Sequence, residues 1–308
     1  MGDPSERPRR VAVVTGASSG IGAAVAQNLV RDGWRVLFVG RSPERLAKAE
    51  RASGSMASPS QTRTLVADLS LLQSVEHVAD EILESEPRID VLVNNAGAVF
   101  ARRAETSEGI ERTLALNVLS PFLLTRRLLD RLRSSNPSRV VNLSSAAHRG
   151  ARLRFEDLER KEHYSAWGAY GQSKLAILML TYEFARRYPD RLVTFNAVHP
   201  GFVDSRFGRN NPGLFGGALA FAELIAGISP ARGARTPTYV ATSPTLKDVS
   251  GAYFARGRAI RSSRHSYDLP SAERLWNYCY DRTSAHSPTR HDTESRRSIP
   301  SVTELGST

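Results

Sequence analysis

The sequence contains very little cysteine, because Cys279 is the only one among 308 residues. No disulfide can form within the chain, and metal sites built on paired thiolates are excluded. Long apolar runs are also missing: the most apolar stretch, 213–228, has 16 residues and contains Glu223. Since a bilayer span needs about 20 apolar residues, we expect no transmembrane anchor. No apolar segment follows the charged start MGDPSERPRR, so we expect no secretory signal and a soluble, cytoplasmic protein.

Lysine is scarce as well, although the net charge is +11. Only four of the 42 basic residues are lysine, and the other 38 are arginine. A GC-rich genome accounts for this bias, and attraction of a nucleotide phosphate or of nucleic acid is the alternative. The arginines are spread over the whole chain without an RGG run, zinc-finger spacing or basic arm. We therefore expect no nucleic-acid partner.

Short β-branched runs alternate with longer helical patterns over the first two-thirds of the chain, and there is no internal repeat. The near-continuous apolar strands indicate that both faces of a sheet are buried. This pattern predicts an α/β fold, a Rossmann-type doubly wound parallel sheet of about seven strands with helices on both faces. The predicted strands are 11–15, 35–40, 64–68, 90–96, 139–145, 192–200 and 251–254, and the clearest predicted helices are 21–31, 74–84 and 166–187.

The pattern fills a single domain over residues 10–282, preceded by a flexible stretch, 1–9. From residue 283 onward the sequence has no sustained apolar period. We therefore predict a disordered tail over 283–308.

A glycine-rich turn, TGASSGIG, joins the first predicted strand to the first predicted helix. Gly16, Gly20 and Gly22 fall where the chain must turn sharply while a phosphate approaches closely. The helix N-terminus that follows offers unpaired N–H groups and the positive end of its dipole. The position of the turn predicts a dinucleotide site, and an ordinary glycine turn is the alternative.

The end of the second predicted strand indicates which dinucleotide binds. NAD-binding proteins usually place an acidic residue there, whereas this sequence has Gly40 followed by Arg41. A guanidinium pairs with a 2′-phosphate that a carboxylate would repel, which predicts NADP(H) in preference to NAD(H). The alternative is a solvated surface arginine. Asp68, at the end of the third predicted strand, is placed to hydrogen-bond the adenine edge.

Four polar residues form a candidate catalytic set. Tyr170 and Lys174 lie four apart, on one face of a predicted helix, so the ammonium can lower the pKa of the phenol. A surface tyrosine beside a surface lysine is the alternative. Ser145 ends a predicted strand, where its hydroxyl can donate to a carbonyl oxygen. Asn117 lies within a helical pattern, where it either bonds a backbone carbonyl at a kink or holds a water in a proton relay.

In order along the chain, these residues resemble the motifs of the short-chain dehydrogenase/reductase family. The likeness covers TGASSGIG, Asp68, NNAG, Asn117, Ser145, Tyr170-x-x-x-Lys174 and HPG, and extends over about residues 10–282. The 25-residue spacing between Ser145 and Tyr170 and the HPGFVDS, SGAYF and ERLW segments are most similar to its retinol-dehydrogenase-like branch. After Asn117 this chain has VLSPF where relatives commonly have His-x-Gly-x-Phe, and we expect Ser120 and Pro121 to alter the helix and the substrate-side packing there.

The resemblance implies site residues and no metal. Asn117, Ser145, Tyr170 and Lys174 would be catalytic, and Ser145, Tyr170 and Phe202 would contact substrate. The segment 94–97 would line the adenine-ribose side, and 200–203 would contact the nicotinamide. The implied cofactor contacts are Gly16, Ser18, Ser19, Gly20, Ile21, Gly22, Arg41, Asp68, Leu69, Asn95, Ala96, Gly97, Tyr170, Lys174, Pro200, Gly201 and Val203.

The expected activity is that of an NADPH-dependent carbonyl reductase or alcohol dehydrogenase acting on a hydrophobic ketone or aldehyde. A polyketide-type ketone of bacterial antibiotic biosynthesis is one substrate class, and a retinol- or steroid-type substrate is the other. A non-catalytic NADP-binding regulator is a further alternative. We expect an apolar lid over 202–228, with an ordinary core helix and loop as the alternative. The long helices around Asn117 and Tyr170 make a homodimer or homotetramer possible.

Overall fold

The computed structural model describes residues 9–54, 60–201 and 229–284. The predictions for 1–8, for the lid at 202–228 with Phe202 and Val203, and for 285–308 lie outside the described residues. The strands are β1 (Val11–Thr15), β2 (Arg35–Gly40), β3 (Thr62–Val66), β4 (Val91–Asn94), β5 (Ser138–Leu143), β6 (Val193–His199), β7 (Ala252–Ala255) and β8 (Arg258–Ala259). The α-helices are α1 (Gly20–Arg31), α2 (Pro43–Arg51), α3 (Leu72–Ser85), α4 (Arg112–Leu114), α5 (Ser120–Ser134), α6 (Ala166–Arg187), α7 (Pro230–Thr242) and α8 (Leu269–Ser284).

The strands form one sheet in the order β3-β2-β1-β4-β5-β6-β7-β8. The first seven are parallel, which confirms the predicted doubly wound sheet, and the unpredicted β8 pairs antiparallel with β7. Alternate residues of β1 enter two buried clusters, Val11 and Val13 on one face and Ala12 and Val14 on the other. The strand order reverses between β1 and β4, and this reversal opens a ligand crevice at their carboxyl ends.

Several predicted boundaries differ from the structure by one or two residues, and two of these differences bear on the site and on the limits of the domain. The third strand ends at Val66, before Ala67 and Asp68, so Asp68 stands in the loop beyond it. Thr283 and Ser284, which the sequence places in the tail, are the last residues of α8. Thr283 is fully buried, and its hydroxyl donates to the Cys279 carbonyl oxygen at 2.8 Å, which extends the helix past the last apolar repeat.

Helix α6 is enclosed by the rest of its own chain. Every residue from Ala169 to Thr181 is buried. Helix α8 covers its outer side, where the Trp276 ring packs edge-on at 4.7 Å from Phe184 and 5.0 Å from Phe122 of α5, between ring centroids. Helix α8 therefore covers part of the α6 surface that the sequence suggested for a dimer interface, and the homodimer or homotetramer stays a prediction. Among the described helices, none is long and apolar enough to cross a membrane.

Candidate active site

The glycine turn after β1 requires glycine at Gly16, Gly20 and Gly22. Gly16 has φ +66°, and a Cβ there would lie 2.7 Å from Asn95 Nδ2. Gly20 has φ +60°, a conformation that L side chains rarely adopt. A Cβ on Gly22 would lie 2.4 Å from the Gly16 carbonyl oxygen and 2.3 Å from Asn95 Nδ2. A side chain at Gly20, by contrast, would meet no atom within 4 Å among the described residues. The turn is thus closely packed against Asn95 at Gly22, whereas the described residues leave open space beside Gly20.

Hydrogen bonds across the switch point hold this turn in place. Asn95 Nδ2 donates to the carbonyl oxygens of Thr15, at 2.9 Å, and Gly16, at 3.3 Å. The Thr15 hydroxyl oxygen accepts from the backbone N–H groups of Asn95 and Ala96, both at 3.0 Å. The Asn95 side chain therefore builds the turn, and a cofactor contact by Asn95 must come from its remaining polar atoms. Thr15 is not among the predicted site residues, although it is the first residue of the TGASSGIG motif.

The residues around the turn fit a dinucleotide. Ser19 is the N-cap of α1 and its side chain makes no capping hydrogen bond, so the first N–H groups of the helix are available for a phosphate. Ser18 lies against Gly40, since a Cβ on Gly40 would be 3.5 Å from Ser18 Oγ. Arg41 follows at the carboxyl end of β2 with an exposed side chain. Asp68 is also exposed, and its Oδ1 accepts from the Ser70 hydroxyl at 2.7 Å, which orients the carboxylate.

Two residues of the predicted cofactor side turn inward instead. Asn94 is buried, and its Nδ2 donates to Asn142 Oδ1 at 2.8 Å and to Thr125 Oγ1 at 3.1 Å. Its side chain belongs to a polar network beneath the site, so only its backbone can face a cofactor, and the predicted lining of the adenine-ribose side by 94–97 stays a prediction. The Leu69 side chain is buried in the core cluster under α3, so only its backbone can face a cofactor.

The predicted catalytic side chains meet at the carboxyl end of β5. The phenol of Tyr170 is hydrogen-bonded to the Ser145 side chain. Lys174 Nζ lies 5.5 Å from the centroid of the Tyr170 ring and donates to the Leu143 carbonyl oxygen at 2.9 Å. All three side chains are buried. A Cβ on Gly97 would lie 3.3 Å from Lys174 Nζ, so glycine leaves room there for the lysine.

The protonation of these groups differs from the sequence-based expectation. Burial raises the pKa of Tyr170 to about 12, and the hydrogen bond with Ser145 acts in the opposite direction. Burial lowers the pKa of Lys174 to about 8. The net shift of the phenol pKa is therefore upward, opposite to the expectation, because desolvation favours the neutral form of each group. Tyr170 stands at neutral pH as a protonated phenol, a proton donor.

Asn117 lies in a widened turn of helix, as the proline after it suggests. Pro121 has no N–H to donate to the Asn117 carbonyl four residues earlier, and Ala115–Leu119 form a π-helix. The Asn117 side chain clamps a loop: its Oδ1 accepts from the Ala98 N–H and its Nδ2 donates to the Ala98 carbonyl, both at 3.0 Å. Nδ2 also donates to Ser173 Oγ at 3.0 Å. The side chain thus joins the loop after β4 to α6.

Two serines that the sequence analysis missed hold α6 against the sheet. The Ser144 hydroxyl donates to the Lys174 carbonyl oxygen at 2.8 Å. The Ser173 hydroxyl donates to the Tyr170 carbonyl oxygen at 2.7 Å. Each serine is the sequence neighbour of a predicted catalytic residue, which is the only signal that could have identified it. At the end of β6, Pro200 and Gly201 are half-buried, and their predicted contact with the nicotinamide stays a prediction.

The sequence matches the family model described as short chain dehydrogenase over residues 10–212. It is 36% identical over 275 residues to retinol dehydrogenase 13 of Homo sapiens, which covers 87% of this chain and 83% of that protein. It is 38% identical over 273 residues to retinol dehydrogenase 12 of Mus musculus, and the match covers 88% of this chain and 85% of that protein. A crystal structure of an uncharacterized protein from Mycobacterium paratuberculosis has a TM-score of 0.72 and 31% identity, covering 91% and 96%. The Pseudomonas aeruginosa RhlG/NADP active-site complex has a TM-score of 0.60 and 30% identity, covering 80% and 93%.

Proposed function

Since the chain belongs to the short-chain dehydrogenase family, in its retinol-dehydrogenase-like branch, and is an NAD(P)-dependent oxidoreductase, we propose that it interconverts a hydrophobic aldehyde or ketone with its alcohol, using NADP(H). The observation that carries the proposal is the meeting of Ser145, Tyr170 and Lys174 at the carboxyl end of β5. The glycine turn after β1 opens at the same edge of the sheet.

Each catalytic side chain has a defined task in the reduction. The nicotinamide cofactor, when bound, supplies the hydride that reaches the carbonyl carbon. Ser145 donates a hydrogen bond to the substrate oxygen and stabilises the negative charge that develops on it. Tyr170, held protonated by burial, donates its phenolic proton to that oxygen. Because the Ser145 and Tyr170 side chains are already hydrogen-bonded to each other, one oxygen atom can contact both.

Lys174 and Asn117 return a proton to Tyr170. The ammonium of Lys174 lies beside the Tyr170 ring and keeps a proton at neutral pH, since its pKa is about 8. The Asn117 side chain is committed to Ala98 and Ser173, so we assign the water-holding role to its backbone carbonyl oxygen. Pro121, which has no N–H, cannot compete for that oxygen.

The cofactor preference rests on the end of β2. Gly40 supplies no carboxylate for a ribose 2′-OH, and the exposed Arg41 can pair with a 2′-phosphate. The solved neighbour RhlG is an NADP complex, which supports the same choice. Ser18, Ser19, Ile21 and the backbone of the glycine turn are the proposed pyrophosphate side of the site.

A retinoid-like aldehyde is the first substrate class to test. The names of the relatives support it, since they are retinol dehydrogenases. Trp167 supports an apolar substrate, because it is 44% exposed and its ring lies 6.0 Å from that of Tyr170, between centroids. Steroid and polyketide-type ketones are the second class, and no comparison favours a role in antibiotic biosynthesis. The predicted substrate contact of Phe202 belongs to the same proposal.

A screen of carbonyl compounds tests the proposal directly. Retinoid aldehydes, steroid ketones and polyketide-type ketones are each mixed with the protein and NADPH, and loss of NADPH absorbance is followed. We expect turnover with at least one apolar aldehyde or ketone and none with the Tyr170→Phe variant. A protein that binds NADPH but reduces no compound in the panel would instead be the non-catalytic regulator.

The pH dependence of reduction is expected to follow Lys174. Because burial lowers its pKa to about 8, the ammonium is charged below that pH and neutral above it. We therefore expect kcat/KM for reduction to be level below about pH 8 and to fall above it, measured at saturating NADPH. In the Lys174→Arg variant the cation persists through this range, so the residual activity should show no break there. A break that persists in this variant would assign it to another group.

A further inference from the structure

His148 is a fully buried imidazole that the catalytic mechanism does not use. It lies in the short 3₁₀ helix Ala146–Gly150, three residues after Ser145. Its Nδ1 is 2.5 Å from the backbone carbonyl oxygen of Ser145, and its Nε2 is 3.1 Å from the backbone nitrogen of Ser263. A backbone N–H can only donate, so Nε2 must accept and the proton of a neutral ring must sit on Nδ1. The ring therefore donates to Ser145 and accepts from Ser263.

The environment of the ring fixes this arrangement. Burial lowers the pKa of His148, while the hydrogen bond to the Ser145 carbonyl acts in the opposite direction. The ring also packs edge-on against Tyr253 of β7, with 5.1 Å between centroids. A neutral imidazole with one donor and one acceptor satisfies both backbone groups, whereas a protonated ring would present a donor to the Ser263 N–H.

The segment that His148 reaches is itself attached to the catalytic helix. Ser262 Oγ lies 2.8 Å from the hydroxyl of Tyr182, and 2.6 Å from Ser266 Oγ. Tyr182 belongs to α6, the helix that carries Tyr170. A closed path of contacts therefore runs from Ser145 through His148 and this segment to α6, and returns to Ser145 through the phenol of Tyr170.

From this path we infer that His148 is a positioning residue, which sets the Ser145 hydroxyl against the Tyr170 phenol by tying the Ser145 backbone to Ser263. A displacement of about 1 Å between reacting groups can cost about 100-fold in rate. The Ser145 side chain also accepts a hydrogen bond from the Ala147 N–H, at 3.3 Å within the same turn. The link through His148 reaches the Ser145 carbonyl directly, and Arg149 of the same turn adds a second tie to this segment by donating to the Arg261 carbonyl oxygen at 3.0 Å.

Three variants separate positioning from packing. His148→Asn keeps an N–H donor near the Ser145 carbonyl, His148→Gln moves its amide toward Ser263, and His148→Leu removes both bonds while filling the cavity. We expect kcat to fall about 10- to 100-fold in the Leu variant and clearly less in the Asn variant. The Kd for NADPH should stay unchanged in all three, because the glycine turn lies at β1. Equal kcat losses in the Asn and Leu variants, or losses that track Tm, would overturn the inference.

The kinetic experiment rests on the proposed reductase function, so a second measurement is independent of it. In ¹⁵N-histidine NMR of the whole protein, the one of seven histidine signals that disappears in His148→Asn is assigned to His148. We expect this ring to be neutral at pH 7 with its proton on Nδ1. A proton on Nε2, or a charged ring, would overturn the inference even if the protein is an active reductase. If no substrate is found, the proposed function fails, while the NMR result still tests whether His148 donates to Ser145 and accepts from Ser263.

Discussion

Replacing Tyr170 with phenylalanine is expected to lower kcat for carbonyl reduction by about 10²- to 10⁴-fold, the usual contribution of a positioned general acid. The ring of phenylalanine keeps the contacts with Trp167 and Lys174, so only the phenolic oxygen is lost. That oxygen carries the transferred proton and is the hydrogen-bond partner of Ser145. Tyr170 is one of many implied cofactor contacts, and its loss leaves the glycine turn and Arg41 intact, so NADPH binding should stay within about twofold, as cofactor fluorescence would show.

Tyr278→Phe is the matched control for this experiment. Tyr278 is half-buried in α8, and its hydroxyl donates to Glu159 at 3.3 Å. The Tyr278→Phe substitution removes the same hydroxyl group from a half-buried tyrosine that does not contact the catalytic side chains, so kcat should be retained. Retention of turnover within tenfold by Tyr170→Phe would show that another group supplies the proton. Equal losses in both variants would point to a general effect on folding.

The sheet and the catalytic helix could be read from the sequence with good accuracy. The first two strands and the helix Ala166–Arg187 begin and end where the sequence predicts. Their patterns are strong, because parallel strands covered on both faces are continuously apolar. The unpredicted β8 has only two residues, Arg258 and Ala259, both exposed, and so carries no hydrophobic period.

The electrostatics of the site could not be read from spacing. The i, i+4 relation of Tyr170 and Lys174 correctly places them together, but it contains no information on burial. Burial depends on residues that are distant in sequence, such as Gly97 in the loop after β4, which lies against Lys174 Nζ. This burial reverses the expected direction of the phenol pKa. The same holds for His148, whose second partner, Ser263, is more than a hundred residues away. Catalysis by a phenol that stays protonated is expected to favour reduction at neutral pH.

Replacing Arg41 with aspartate is expected to lower kcat/KM for NADPH by about 30- to 100-fold and to leave kcat/KM for NADH nearly unchanged. The guanidinium is exposed at the carboxyl end of β2, where the carboxylate that NAD-binding proteins usually carry is absent. The substitution removes an attraction for the 2′-phosphate and adds a repulsion in its place. Exposure to solvent weakens both, which is why we expect less than the loss of a buried ion pair would give.

Arg51→Asp provides the same change of charge at the opposite end of helix α2. Arg51 is exposed there, in the last turn, so long-range effects of the net charge act on both variants alike. If the arginine-rich composition attracts NADPH only through the overall positive field, the two variants should lose NADPH activity equally, and the loss should shrink at high salt in both. A loss confined to Arg41→Asp, with NADH spared, would require a direct contact between this side chain and the 2′-phosphate. It would separate one cofactor-binding arginine from the 37 others in the chain.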